Sequence, residues 1–220
     1  MERLRKHLPA DQRWTLEHFS RANGPHLAYA WRGVTHMLML GLLPLTGELI
    51  HKHKLTPGQL TDSQKICGAC NENLSATGLT LDHAFWSCAA VAVPIRQKLQ
   101  ARVRAMVPAS NWTIAEHHLR LGMIVEFEPA ALRPHVTVLN MFLSAIRYQM
   151  YVARARHRAL TARDVWTSAR KALGLRIREL WRSDPNFHRR FGGSHIFEVH
   201  PASTHPPDGK IEPNLPFLQW

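Results

Sequence analysis

The chain has 220 residues, 45% hydrophobic and 20% charged, which is enough apolar material to bury a core and excludes a wholly disordered polymer. Its 28 Lys and Arg against 16 Asp and Glu leave a formal charge of +12, so the expected partner is a polyanion: nucleic acid first, an acidic protein or surface second. The longest apolar run, HMLMLGLLPL, is broken by Gly41 and Pro44 and falls well short of the roughly 20 residues of a bilayer span, so no membrane is expected; MERLRKHLPADQRW lacks the apolar core of a signal peptide.

In chain order, residues 1–24 read as an N-terminal segment and residues 25–190 as one helical domain. Leu27, Trp31, Val34, Leu38 and Leu42 recur at helical spacing between Pro25, suited to a first turn, and Pro44, which ends the run. A short second helix is expected over about 45–54, then a polar, turn-rich link, KLTPGQLTDSQK. After the cysteine segment, Ile95, Leu99, Val103 and Met106 form a stripe that starts just past Pro94. A helix is expected over 112–124 with Asn111 or Thr113 as cap. Pro134 opens the longest periodic run, in which Leu139, Phe142, Ile146, Met150 and Ala153 share a face. Thr161 or Asp164 can cap a last helix carrying Val165, Ala169, Leu173, Ile177 and Leu180. Strand-like alternation is almost absent, so the predicted class is all-α. From 191 to 220 five prolines and no helical stripe predict an irregular Pro-rich tail, extended or disordered.

All three cysteines lie in one short polar segment, CGACNENLSATGLTLDHAFWSC. Cys67, Cys70, His83 and Cys88 follow the spacing C-x2-C-x12-H-x4-C, a closed set of three thiolates and one imidazole that suits structural zinc, Zn2+, with no position left for a catalytic water. Gly68 is expected to ease the tight Cys-x2-Cys turn. Fifteen histidines make one neighbouring His cheap, and buried thiols or a redox pair are the competing readings. The concentration of every cysteine in a knuckle spanning 66–89 favours metal. Clustered cysteines without a secretion signal also point to a reducing, intracellular location, nuclear or cytoplasmic.

CGAC…TLDHAFWSC resembles the zinc-binding CCHC segment at the C-terminal end of the reverse-transcriptase polyproteins of LINE-type, non-LTR retrotransposons. In that family a Cys-x2-Cys pair precedes a string like Glu-Thr-Leu-Glu-His and then a further Cys. Thr80, Leu81, Asp82, His83 and Cys88 keep that order here, while Leu79 replaces the usual acid and the loop is longer. AYAWRGVTHMLMLGLLPLTGELIHKH and MFLSAIRYQMYVARARHRAL are similar to the flanking segments, with Tyr148 and Tyr151 where Trp is commoner. The resemblance covers about residues 26–160 and implies a nucleic-acid-binding appendage to a polymerase. No paired-aspartate polymerase motif is present, so a fragment, a decayed copy and a stand-alone relic all stay open.

Between Arg147 and Arg190 there are twelve Lys and Arg against three acids, Asp164, Glu179 and Asp184. Arg147, Arg154 and Arg158 line one side of a helix, and Arg163, Arg170, Lys171, Arg176, Arg178 and Arg182 continue on the next. The expected nucleic-acid contacts, to RNA or DNA, are Lys65, Arg147, Arg154, Arg158, Arg170, Lys171 and Arg178, with Trp86 as a base-stacking side chain. An ordinary solvated helix face is the bland alternative. Neither a restriction-type nuclease set nor an RNase H carboxylate set is visible, so no enzyme activity and no small-molecule substrate are expected. A protein-interaction scaffold with purely structural zinc, or a non-catalytic fragment of an active reverse transcriptase, competes with the nucleic-acid module.

Overall fold

The computed structural model describes residues 24–39, 42–108, 111–121, 130, 135–155, 160–186, 198–199 and 211–212. Its helices are α1 (Tyr29–Met39), α2 (Thr46–His51), α3 (Ala92–Met106), α4 (Glu116–Leu121), α5 (Val136–Ala155) and α6 (Ala162–Ser183). Helices α1, α3 and α6 follow their apolar stripes. On α6, Val165, Ala169, Leu173, Ile177 and Leu180 are all buried, and Trp166 joins them edge-on to Phe142, with ring centroids 4.9 Å apart. Thr161 caps α6 as expected, its hydroxyl accepting from Asp164 N at 3.1 Å.

The centre of the molecule is α5. Residues 138 to 147 of this helix are all buried, so it is covered on every side rather than along one stripe. α6 and α1 both pack against it, and the cysteine segment sits toward its C-terminal end, where Arg154 lies in the last turn.

Several boundaries differ from the expectation for local reasons. Pro25 lies in a turn closed by Leu27 N on Gly24 O, and α1 begins four residues later. Leu42, expected on the buried face, is 52% exposed, and Leu43 is buried in its place. α3 starts at Ala92, two residues ahead of Pro94, since a proline in the first turn loses no helical hydrogen bond. Neither Asn111 nor Thr113 caps α4. The helix begins at Glu116, Ala115 N donates to His118 Nδ1, and Gln100 holds the preceding stretch through Trp112 O and Ile114 N. The link after α2 holds two 3-10 turns, Pro57–Gln59 and Asp62–Gln64, each closed by a Thr-x-x-Gln capping box.

In the tail, β1 (Glu198–Val199) and β2 (Ile211–Glu212) pair antiparallel, Glu198 opposite Glu212 and Val199 opposite Ile211, and β2 lies against α6. Strands of two residues are too short to leave an alternating pattern in sequence. The rest of the tail, residues 1–23, Pro134 and Arg158 lie outside the described residues. Among the described residues no helix is long and apolar enough to cross a membrane.

Candidate metal centre

Cys67 and Cys70 sit on a tight loop folded back by Cys67 N on Glu72 O, Asn71 N on Cys67 O and Leu74 N on Lys65 O. Ile66 and Asn73 pair as an antiparallel bridge at its base. The left-handed residue of this turn is Asn71, at φ 60°, not Gly68, whose Cβ position faces open space. Asparagine tolerates that region better than most side chains, so the turn does not depend on the glycine.

The His83 half is built on a different device. Thr80 accepts from His83 N through its hydroxyl and from Ala84 N through its carbonyl, starting a short helix. His83–Ser87 then forms a π turn closed by Cys88 N on His83 O at 3.0 Å. On an α-helix residues five apart lie about 140° apart round the axis. The wider turn is what returns Cys88 to the side of His83.

The loop before Thr80 is fixed by contact with α2. Gly47 N donates to Leu79 O, Leu79 N to Thr46 Oγ1 and Leu81 N to Glu48 Oε1. Gly78, at φ +64°, lies so close that a Cβ there would stand 2.7 Å from Gly47 N.

These two halves bring Cys67 Sγ, Cys70 Sγ, His83 Nε2 and Cys88 Sγ together, all four ligand atoms within 4.8 Å of one another. Cys67 Sγ is 4.0 Å from Cys88 Sγ, and Cys70 Sγ is 3.5 Å from His83 Nε2. Cys67, His83 and Cys88 are buried and Cys70 is partly exposed; none of the cysteines is in a disulfide. The four could hold a metal ion, with the charge of the thiols already in tension. Burial opposes ionisation of Cys67, yet the amides of Cys70 and Ala69, with the side chains of His83 and Cys70, outweigh it and bring the thiol down to about 6. Burial and the neighbouring sulfurs Cys67 and Cys88 push Cys70 up to about 11, against the amide of Glu72. Ionisation is thus favoured at Cys67 and resisted at Cys70.

Sequence reading missed what surrounds the ligands. Glu72 Oε2 stands 3.2 Å from His83 Nδ1, within hydrogen-bonding distance although not aligned for a formed bond. Arg154 reaches in from α5, Nη1 3.8 Å from Cys67 Sγ and Nη2 3.2 Å from Ala84 O.

No family model, curated protein or solved structure matches the chain.

The expected nucleic-acid contacts separate into groups. Arg147 is a correction: it is 2% exposed, donates to Leu119 O at 2.8 Å and Ser144 Oγ at 2.7 Å, and lies in the core of α5 instead of on a surface. Burial pushes its guanidinium down to about 9, which leaves it charged at neutral pH. Arg154 is engaged at the cysteine cluster. Lys65 pairs with Asp62 at 2.9 Å on the surface, holding that carboxyl below its usual range by hydrogen bond and charge. Phe85 is core, and Trp86 is partly buried with Arg96 Cζ 4.0 Å above its ring, so one face of the indole is already covered. Arg176 ties α6 to the start of the domain through His26 O and Pro25 O. Arg170 and Lys171 are exposed on α6 and Arg178 is half-buried there.

Proposed function

We propose that the chain is a zinc-stabilised nucleic-acid-binding module, derived from the C-terminal tail of a non-LTR retrotransposon reverse transcriptase, which binds RNA or DNA through the basic face of α6. The observation that carries the binding surface is the side of α6 turned away from the core. There Lys171 and Arg182 are exposed and Arg178 half-buried, against Asp164 and Glu179. Side chains seven and four residues apart on one helix face can follow a phosphate backbone without reading bases.

Zinc is favoured over other ions by the donor set. Soft thiolates and an imidazole suit a tetrahedral zinc and are poor ligands for calcium or magnesium. A zinc tetrahedron places two sulfurs about 3.8 Å apart and a sulfur and nitrogen about 3.6 Å apart. The Cys67–Cys88 and Cys70–His83 separations, 4.0 and 3.5 Å, are close to those values. With four protein ligands the ion has no open position, so its role is to hold the fold. The retroelement origin rests on the resemblance of residues 66–89 and their flanks, and the reading assigns the chain no catalysis.

Binding to single- and double-stranded RNA and DNA across a salt series tests the proposal. Affinity should fall steeply and log-linearly with salt, and metal analysis should find about one zinc per chain. Absence of binding near about 50 mM salt, or affinity indifferent to salt, overturns the nucleic-acid reading. A second reading has one observation in its favour: Leu175 is 66% exposed in the middle of the basic face. An acidic protein segment with an apolar anchor fits that combination, and a salt-insensitive part of the binding lost in Leu175→Ser would favour it.

A further inference from the structure

We propose that Arg154 is the positioning residue of the metal centre, a clamp that holds both ligand turns in register and offsets the charge of the thiolates. This rests on the reading that the cluster binds a divalent metal. Three thiolates, a neutral imidazole and a divalent ion leave one net negative charge, and Cys67, His83 and Cys88 are 0 to 4% exposed. A buried charge of that kind needs a partner. Arg154 supplies it, with Nη1 3.8 Å from Cys67 Sγ.

The second half of the fork has its own cause. In an α-helix Ala84 O would accept from Cys88 N. The π turn gives that amide to His83 O instead, and Arg154 Nη2 donates to Ala84 O at 3.2 Å. One planar guanidinium therefore bridges the Cys67 turn and the His83–Cys88 turn, the two segments that supply the ligands. Glu72 stands 3.2 Å from His83 Nδ1, so the ligand set has a carboxylate beside the histidine as well as a cation beside Cys67. Groups of this kind orient ligands and tune their basicity, and their loss typically costs about 10–100-fold in metal affinity. Lysine could keep the charge but not the two-acceptor geometry.

The test uses the full chain, with Zn2+ titrated against a chromophoric chelator and Co2+ as a spectroscopic probe of the thiolates. Arg154→Met should weaken Zn2+ binding by about 10–100-fold and shift or weaken the thiolate-to-cobalt charge-transfer band. Arg154→Lys should fall between it and the wild type, and serves as the readout if the methionine variant does not fold. Arg176→Met breaks the ties of α6 to Pro25 and His26, which involve no ligand residue, and controls for stability. It should lower the unfolding midpoint and leave both metal readouts unchanged. Wild-type affinity and spectrum in both Arg154 variants overturn the proposal, and so does an equal loss in Arg176→Met. Failure of the wild-type chain to bind either ion is a separate result: it removes the metal reading itself and this proposal with it.

Discussion

Cys88 N donates to His83 O across five residues, and this single π-turn bond sets the relation between the last two members of the cysteine–histidine cluster. The turn is started by Thr80, whose hydroxyl accepts from His83 N at 3.1 Å. Removing that acceptor leaves an amide at the start of a short, partly buried turn without its side-chain partner. Thr80→Val, which keeps the branched shape, should destabilise the protein by about 1 kcal/mol, within the range of lost helix caps, read as a lower midpoint in urea.

The two glycines of the segment should respond in opposite ways. Gly78 has φ +64° and backbone of Gly47 within 2.7 Å of its missing Cβ, so Gly78→Ala adds both left-handed strain and a clash with main chain. The strain alone is about 1–2 kcal/mol, and the nearest α2 atoms include main chain of Thr46 and Gly47, which cannot swing aside. Gly68 has neither feature, with nothing within 4 Å of the added methyl. Gly68→Ala should therefore be neutral or stabilising by up to about 1 kcal/mol, through the reduced entropy of the unfolded chain. Thermal or urea unfolding of the pair checks this, and equal losses would contradict it.

Much of this architecture is legible because it is local. The α6 stripe Val165, Ala169, Leu173, Ile177 and Leu180 is a period of the sequence itself, and all five are buried. The four candidate ligands are legible because cysteine is rare in the chain and its spacing is short. What is not legible depends on meetings across the fold. The approach of Gly78 to Gly47, and of Arg154 to Cys67, joins residues far apart in sequence. Arg147 is expected on the surface because a lone arginine on a helix is ordinarily solvated, and it is buried instead. The available signal was the run VTVLNMFLSA ahead of it, which is nearly apolar on every side and marks a central helix. The π turn left no recognisable signature, since its residues HAFWS fit an α-helix equally well.

Metal uptake should release protons and depend on pH. Cys70, raised to about 11, carries its proton at neutral pH in the metal-free cluster and must lose it to bind. Calorimetry of Zn2+ binding at pH 7.5 in buffers of different ionisation enthalpy should show release of at least about one proton per ion. Affinity should fall as the solution is acidified and more steeply below about 6, where Cys67 also becomes protonated. The metal-free fold follows the same groups. Cys67 is depressed from 9.0, so its contribution to stability is complete above 9 and lost as pH falls through about 6. Cys70 is raised from 9.0, so it costs stability as pH rises from 9 toward 11. These two thiols together place their most favourable pH near 9.

Arginines on neighbouring helices should separate into core and surface when nucleic-acid binding is measured. Arg147 donates to Leu119 O and Ser144 Oγ from a site that is 2% exposed. Arg147→Met leaves a buried carbonyl without its donor, so it should destabilise the fold by about 1–3 kcal/mol. Binding affinity measured well below the unfolding midpoint, and its salt slope, should not change, because the guanidinium never reaches a phosphate. Lys171 and Arg178 lie on the outward side of α6, seven residues apart. Replacing either with alanine should cost little stability, reduce affinity by a similar factor for any sequence, and lower the salt slope by about one. If Lys171→Ala and Arg178→Ala left affinity and salt slope unchanged in a folded protein, the outward face of α6 would not be the binding surface.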